Sequence, residues 1–288
     1  MPRHNLLVAL LLLVGVWPAA AQDRAALRYQ PELGRLARTL TEIRTTTTLV
    51  GFPAVPDGAV FTEETWLSAT QRVATVREEG ALVEVVVDSV RGRVRQDDGT
   101  WRDRADSSFI GRPAQAILSP LFHIVGIRTS GETDGEVLQT LGAYAADLGF
   151  TFPDGPVAVG ETFSTGGRLR ARVRTDAATG LAVDEVVFGD LALTLDSVAG
   201  TGEAQLAYLH FQGGLTPRTA AAASEDGDVV TALSGAFAGR LVWSAQWGAF
   251  VSGALRIRVT GRVRVQRPGG QETAEATWDR TVVHRVRP

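Results

Sequence analysis

The chain has 288 residues, no cysteine and a formal net charge of −3 at pH 7, with 29 basic residues against 32 acidic ones. This mild acidity argues against a nucleic-acid-binding domain, which is expected to be basic. The lack of cysteine excludes disulfides, thiol nucleophiles and thiolate metal sites. The lack of lysine excludes a Schiff base and a P-loop lysine.

The N-terminus has the pattern of a secretory signal. Arg3 and His4 precede an apolar run from Leu6 to Trp17, and the small residues 19–21 follow it. A short positive region, an apolar core of about a dozen residues and an A-x-A site are typical of a cleaved signal, whereas a membrane span needs roughly 20 apolar residues. We therefore predict a signal peptide over 1–21, no membrane span and a periplasmic or extracellular location. With no lipobox cysteine, no lipid anchor is expected.

The first half of the chain after the signal is rich in alternating apolar and polar residues. This period of two predicts half-buried antiparallel strands. The predicted strands are 36–48, 61–77, 81–95 and 121–129. A short, weaker helical candidate lies at 113–119.

One amphipathic helix is predicted near the middle of the chain, over 136–148. Thr133 followed by Glu136 has the spacing of a capping box. The apolar residues that follow fall on one helical face: Val137, Leu138, Leu141, Tyr144, Ala145 and Leu148. We expect this helix to pack on the concave face of the sheet.

The segment FPDGPVAVGETF, residues 152–163, follows the predicted helix. Pro153 and Pro156 prevent a helix from continuing, and Gly155 and Gly160 permit tight turns. We interpret the segment as a connector between two blocks of strands, with a ligand loop as the alternative. With the flank 26–34, its P-x-x-P-V-x-V-G-[DE]-[ST]-[WF] pattern resembles a family of uncharacterised bacterial exported proteins. The resemblance implies export and no particular activity.

The second half continues the β pattern, with candidates at 168–174, 181–188, 190–198, 202–212 and 229–244. Residues 250–266 alternate strictly, and at about 3.3 Å per residue such a strand is roughly 50 Å long. A strand of that length must coil or curve. The predicted fold is mainly β, a large curved antiparallel sheet or half-barrel. It forms a single domain, 22–288, whose strand blocks (22–130 and 161–288) are joined by the helix and the connector 149–160.

Catalytic patterns are missing from the sequence. No G-x-S-x-G elbow or H-E-x-x-H motif is present. His123, His210 and His284 are distant from one another, and a metal-dependent hydrolase built on them is the weaker alternative. No catalytic residue, metal or cofactor is assigned, and a non-catalytic role is favoured over an enzymatic one.

Arginines form two stripes along predicted strand faces, Arg168–Arg174 and Arg256–Arg264. One interpretation is a cationic platform for anionic lipid headgroups or polysaccharide. The favoured interpretation is a solvated face of cross-strand ion pairs, because acidic residues follow each stripe.

The last predicted strand places two polar residues on its apolar face. Strict alternation puts Arg280 and His284 beside Trp278, and these three are the candidate ligand-binding residues. Arg280 either orients a ligand headgroup in an apolar pocket, pairs with a carboxylate, or reaches solvent because the strand slips register near Asp279.

Two functions remain open. One is an exported, non-catalytic envelope protein that binds a lipid-like or other apolar ligand, and the other is an envelope interaction module with a filled core.

Overall fold

The regular secondary structure in the described part of the chain consists of strands and one short 3₁₀ helix, Gly202–Ala204. The structure, a computed structural model, describes residues 23–51, 58–95, 99–104, 110–122, 124–129, 151–174, 184–217, 229–267 and 270–287. No helix in these ranges combines the length and the apolar character that crossing a membrane demands. The strands are β1 (Arg24–Ala25), β2 (Leu36–Val50), β3 (Ala59–Arg77), β4 (Gly80–Arg95), β5 (Trp101–Arg104), β6 (Pro113–Leu118), β7 (Ile124–Thr129), β8 (Val157–Ala158), β9 (Thr162–Arg174), β10 (Asp184–Ala199), β11 (Leu206–Pro217), β12 (Val229–Ser244), β13 (Ala249–Arg267) and β14 (Gly270–Arg287).

Twelve of these strands form one sheet with antiparallel pairing between neighbours. Its order is β7-β6-β4-β3-β2-β14-β13-β12-β11-β10-β9, and β5 pairs with β4 beside this path. Among the described strands the two edges, β7 and β9, do not pair with each other, so the sheet does not close on itself. The predicted large curved antiparallel sheet is therefore confirmed.

One face of the sheet, the inner face, carries the core. Buried side chains along it include Leu209, Ile257 and Trp278. Large inner-face rings pack closely against glycines of neighbouring strands. A Cβ built on Gly239 would come within 2.2 Å of the Phe211 ring, so this close packing depends on the absence of a side chain.

A cluster of five aromatic rings lies where the N-terminal segment meets the inner face. Phe122 is at its centre, with ring centroids 5.4–5.8 Å from the other four: Tyr29, Phe152, Trp243 and Phe250. Phe122 also has a φ of 64°, which is unfavourable for a residue other than glycine. Its four ring contacts stabilise the side chain in this conformation.

The connector segment lies against the start of the described chain. β8 pairs with β1 through Arg24 and Ala158, and Phe152 and Val157 are buried. Gly160, with a φ of 84°, makes the turn that leads into β9. The segment is thus fixed to the core by its apolar residues and turned by its glycine.

The structure differs from the predicted elements in four places. Residues 121–122, predicted as the start of a strand, lie before β7, and the first residues of the strand predicted at 202–212 form the 3₁₀ helix Gly202–Ala204, so that β11 begins at Leu206. Residues 113–119, predicted as a short helix, form strand β6, because pairing with β4 and β7 on both sides outweighs the helical propensity of a short alanine-containing stretch. The strands predicted at 181–188 and 190–198 are one strand, β10, which continues through Gly189. The predicted helix 136–148 and signal 1–21 lie outside the described residues, and both stay predictions, as does the single-domain organisation.

Candidate ligand-binding cavity

The inner face contains a partly open cavity of about 340 Å³. Apolar side chains supply most of its wall, among them Leu67, Val83, Val85, Leu255 and Val282. They come from strands far apart in the sequence, which the sheet brings onto one face. The volume falls within the range of about 300–1,000 Å³ that is usual for small-molecule sites.

The register of β14 determines which of its side chains reach this cavity. Its pairing with β13 runs without a shift from Ser252–Arg285 to Arg267–Gly270, and its pairing with β2 is equally regular. The strand therefore does not slip near Asp279. Unbroken alternation places Arg280 and His284 on the inner face, where both line the cavity.

Trp278, the third candidate residue, has a different position. It lies on the same face of β14 but is only 4% exposed and belongs to the packed core. It does not contribute to the cavity wall. The structure thus brings Arg280 and His284 to one cavity and places Trp278 next to it, beyond Arg280.

His284 is held by a neighbouring strand. Its Nδ1 lies 3.0 Å from the Oγ1 of Thr41, its register partner on β2. Burial lowers the pKa of His284 below its ordinary value, because the charged imidazolium is poorly solvated there. The side chain is therefore neutral at pH 7 and adds no charge to the cavity.

This pKa predicts a pH-dependent stability. The unfolded chain binds a proton at His284 near its ordinary pKa of 6.5, whereas the folded chain binds it only at lower pH. The contribution of neutral His284 is thus complete above about pH 6.5 and is lost as the pH falls through the folded-state pKa. We expect His284→Gln to lose less unfolding free energy than the wild type between about pH 7.5 and about pH 5 in urea titrations. A His284→Gln protein that loses as much unfolding free energy as the wild type over this pH range would contradict this.

One end of the cavity lies against the aromatic cluster, and we call it the aromatic end. Tyr29, Phe122 and Phe250 line it together with Trp247 and Arg35. Arg35 approaches the Glu32 carboxylate to 3.0 Å, donates to the Gln246 carbonyl at 2.7 Å and stacks on Trp247 at 4.5 Å. Sequence reasoning missed these residues, because no local pattern relates positions so far apart in the chain.

The outer face of the same strands is polar and ion-paired. Asp279 accepts two hydrogen bonds from Arg256, at 3.0 and 2.5 Å, and these bonds lower the pKa of its carboxyl group. Arg262 lies 3.8 Å from Glu275. For these residues of the second stripe the structure agrees with the ion-pair interpretation. The side chains of the stripe Arg168–Arg174 that bear the charge lie outside the described part.

The three histidines do not form a metal site. His210 alternates with the inner-face residues Leu209 and Phe211 and lies on the outer face, with its Nδ1 2.5 Å from the carboxylate of Asp196. His284 lies on the inner face, so the two cannot bind one ion, and a hydrolase built on all three is wrong. His123 is outside the described residues. Within the described ranges, no group of three or more His, Cys, Asp or Glu side chains could hold a metal ion.

Comparisons with known proteins add little to this geometry. No protein family and no curated protein matches the chain. Lipovitellin, in a structure of its lipid–protein interactions, is similar over 90% of this chain and 25% of that chain, with 6% identity and a TM-score of 0.49. The chain thus spans about a quarter of the lipovitellin chain. TodX, a toluene transporter of Pseudomonas putida, matches over 89% of this chain and 90% of its own, with 7% identity and a TM-score of 0.12. Neither likeness bears on what this chain binds.

Proposed function

We propose that this chain is an exported, non-catalytic protein of the bacterial envelope that binds an apolar or lipid-like ligand in the inner-face cavity. The observation that carries the proposal is the cavity itself, about 340 Å³ of space walled mainly by aliphatic and aromatic side chains. Protein interiors are otherwise close-packed, with few voids larger than a water molecule. A space of this size is therefore a binding site for a guest rather than a packing defect.

The chemistry of the wall favours an apolar guest. A water molecule in this cavity would have few hydrogen-bond partners, so water occupies it poorly. Apolar cavities of about half this volume bind small hydrocarbons. Each Å² of apolar surface that a ligand removes from water contributes about 25 cal/mol. Binding, rather than catalysis, is the role that this wall supports.

Export is supported by the sequence of the N-terminus. Residues 1–21 have the charge, apolar core and small-residue site of a signal, and the segment 152–163 resembles that of bacterial exported proteins. A periplasmic or extracellular carrier or sensor of apolar molecules is consistent with both features.

A cavity-filling variant tests the proposal. Ala37 and Ala116 line the cavity from β2 and β6. We expect Ala37→Leu/Ala116→Leu to lower the affinity for N-phenylnaphthylamine, a neutral apolar fluorescent probe, by at least about tenfold, because the added side chains occupy the ligand space. The matched control is Ala236→Leu/Ala238→Leu, two exposed outer-face positions of β12, which should bind the probe as the wild type does.

The same titration can overturn the proposal. A wild-type protein that does not bind the probe, and carries no ligand in native mass spectra when purified from its own host, would favour an interaction module with a filled core. Equal probe binding by the cavity-filling variant and the control would place the probe elsewhere. Melting temperatures of all variants show whether they are folded.

A further inference from the structure

Resting on this proposed function, we propose that the ligand is a neutral chain molecule whose one polar group, a hydroxyl inside the chain, hydrogen-bonds to Nε2 of His284. His284 lines the cavity with apolar positions on either side of it. One of its ring nitrogens has no hydrogen bond within the described part of the chain. The first feature determines where the polar group lies along the ligand, and the second determines its chemistry.

The imidazole of His284 has one nitrogen engaged and one open. Its Nδ1 lies 3.0 Å from the Oγ1 of Thr41, and no other described residue forms a hydrogen bond with the ring. Nε2 is not enclosed by protein atoms, and the space that His284 lines is the cavity. The Thr41 hydroxyl can donate to Nδ1 or accept from it, so Nε2 is correspondingly a donor or an acceptor. A ligand hydroxyl can pair with either form.

Other polar side chains of the cavity wall are already engaged. The Thr39 hydroxyl donates to the Ala69 carbonyl at 3.2 Å. The Arg35 guanidinium lies 3.0 Å from the Glu32 carboxylate. Arg280, at the other end of the cavity, has an interaction of its own. Neither arginine is therefore a free cation that would select a charged ligand.

The surroundings of His284 disfavour a charged group at its open nitrogen. Its inner-face neighbours on β14 are Val282 and Val286, and its register partners are Thr41 and Gly253. His284 itself is neutral, because burial lowers its pKa. An ionised ligand group here would leave water with no opposite charge among these neighbours, which costs far more than burying a hydrogen-bonded hydroxyl.

A pure hydrocarbon is disfavoured for the opposite reason. It would cover Nε2 of His284, remove it from water and offer it no hydrogen bond. A buried polar atom without a partner loses its solvation without compensation. A ligand hydroxyl restores the missing hydrogen bond, so a neutral polar group fits this position better than a charge or a methylene group.

The place of His284 in the cavity makes the polar group internal to the ligand. Val282 lines the cavity on one side of His284 and Val286 on the other. Beyond Val286, β2 leads from its register partner Thr39 to Arg35 at the aromatic end. The cavity volume of about 340 Å³ corresponds to about 11 groups of water size, at about 30 Å³ each. A chain that fills this volume extends to both sides of His284.

The test compares two isomeric alcohols, 6-undecanol and 1-undecanol, with the anion undecanoate. Their affinities follow from displacement of N-phenylnaphthylamine at neutral pH. The two alcohols contain the same atoms, so a difference between them reports the position of the hydroxyl. For the wild type we expect 6-undecanol to bind at least about fivefold more tightly than 1-undecanol, which is the effect of one buried neutral hydrogen bond. Undecanoate should bind at least about tenfold more weakly than 6-undecanol, because its charge is desolvated without a partner.

Variants of His284 locate the hydroxyl. We expect His284→Leu to bind the two alcohols with affinities within about twofold of each other, because leucine offers no hydrogen bond. His284→Gln should keep part of the preference, since an amide both donates and accepts. The matched control is His210→Leu on the outer face, where His210 contacts Asp196, and it should keep the wild-type preference. Melting temperatures show which variants are folded.

The outcomes separate this proposal from the proposed function. If the probe binds and the wild type binds both alcohols equally, the internal hydroxyl is wrong and the apolar-ligand function stands. Undecanoate binding as tightly as 6-undecanol would overturn the neutral group. A preference that survives in His284→Leu but is lost in Tyr29→Phe or Gln71→Leu would place the hydroxyl nearer the aromatic end and overturn the assignment to His284. If neither the probe nor any alcohol binds, the proposed function itself fails. The comparison of the three ligands on the wild type is decisive even if His284→Leu does not fold.

Discussion

Gly239→Val is expected to destabilise the protein by about 3 kcal/mol or more. A Cβ at position 239 would lie 2.2 and 2.6 Å from two atoms of the Phe211 ring and 2.7 Å from the carbonyl oxygen of Ala254. The ring is buried in the core and the carbonyl belongs to the neighbouring strand β13, so neither can retreat without moving the sheet. The two further carbons of valine add to this overlap.

Chemical denaturation followed by circular dichroism measures the effect. Gly214→Val is the matched control, since a Cβ at this strand position would meet only the Gly235 carbonyl, at 3.8 Å, and we expect a change within about 1 kcal/mol. In a Phe211→Ala background, the cost of Gly239→Val should fall by about 1 kcal/mol or more, because the two residues are coupled through contact. Similar costs for the two valine variants would show that the inner face is not packed around Gly239.

Trp243→Ala is expected to cost about 3–5 kcal/mol of unfolding free energy. Trp243 is 2% exposed, and its ring centroid lies 4.8 Å from that of Phe152, 5.1 Å from Phe250 and 5.8 Å from Phe122. Removing the indole leaves a cavity among these rings and also removes their edge-to-face contacts. The loss should therefore exceed that for an aliphatic side chain of similar burial.

Two other variants make this measurement specific. Trp101→Ala, at a position that is 39% exposed, should cost about 1 kcal/mol or less, since it loses mainly a contact with Arg93. Trp243→Phe should cost clearly less than Trp243→Ala, because the buried indole Nε1 has no hydrogen-bond partner in the described structure and phenylalanine leaves no donor unsatisfied. A Trp243→Ala protein as stable as the Trp101→Ala protein would contradict the proposed role of the aromatic cluster in the core.

The face of each long strand could be predicted from the sequence. In β13 and β14 one side is buried and the other is solvated, so a period of two is present in the sequence itself. The sequence pattern places Arg280 and His284 on the apolar side of β14, and the unbroken register of β14 agrees with this. Assigning the face of a strand from this pattern requires no knowledge of which strands are its neighbours in the sheet.

Pairing partners and short elements could not be predicted in this way. Residues 113–118 are too few to show a period, and their state is decided by β4 and β7 on either side. The cavity depends on pairing between distant strands as well, since the Thr41 hydroxyl that contacts His284 is 243 positions away. Tyr29, Phe122 and Phe250 meet for the same reason, and no spacing rule connects them.

The position of β14 between β2 and β13 has a consequence for how the chain folds. β14 is the last of the described strands to be synthesised, yet it joins the two halves of the sheet. Contacts between such distant positions raise the relative contact order, and slow folding is expected for a topology of this kind. Until β14 is in place, β2 and β13 each present a long unpaired edge in the middle of the unfinished sheet. Such edges readily pair with other chains, so the intermediate that lacks β14 is the form in which we expect aggregation and the need for a chaperone to be greatest.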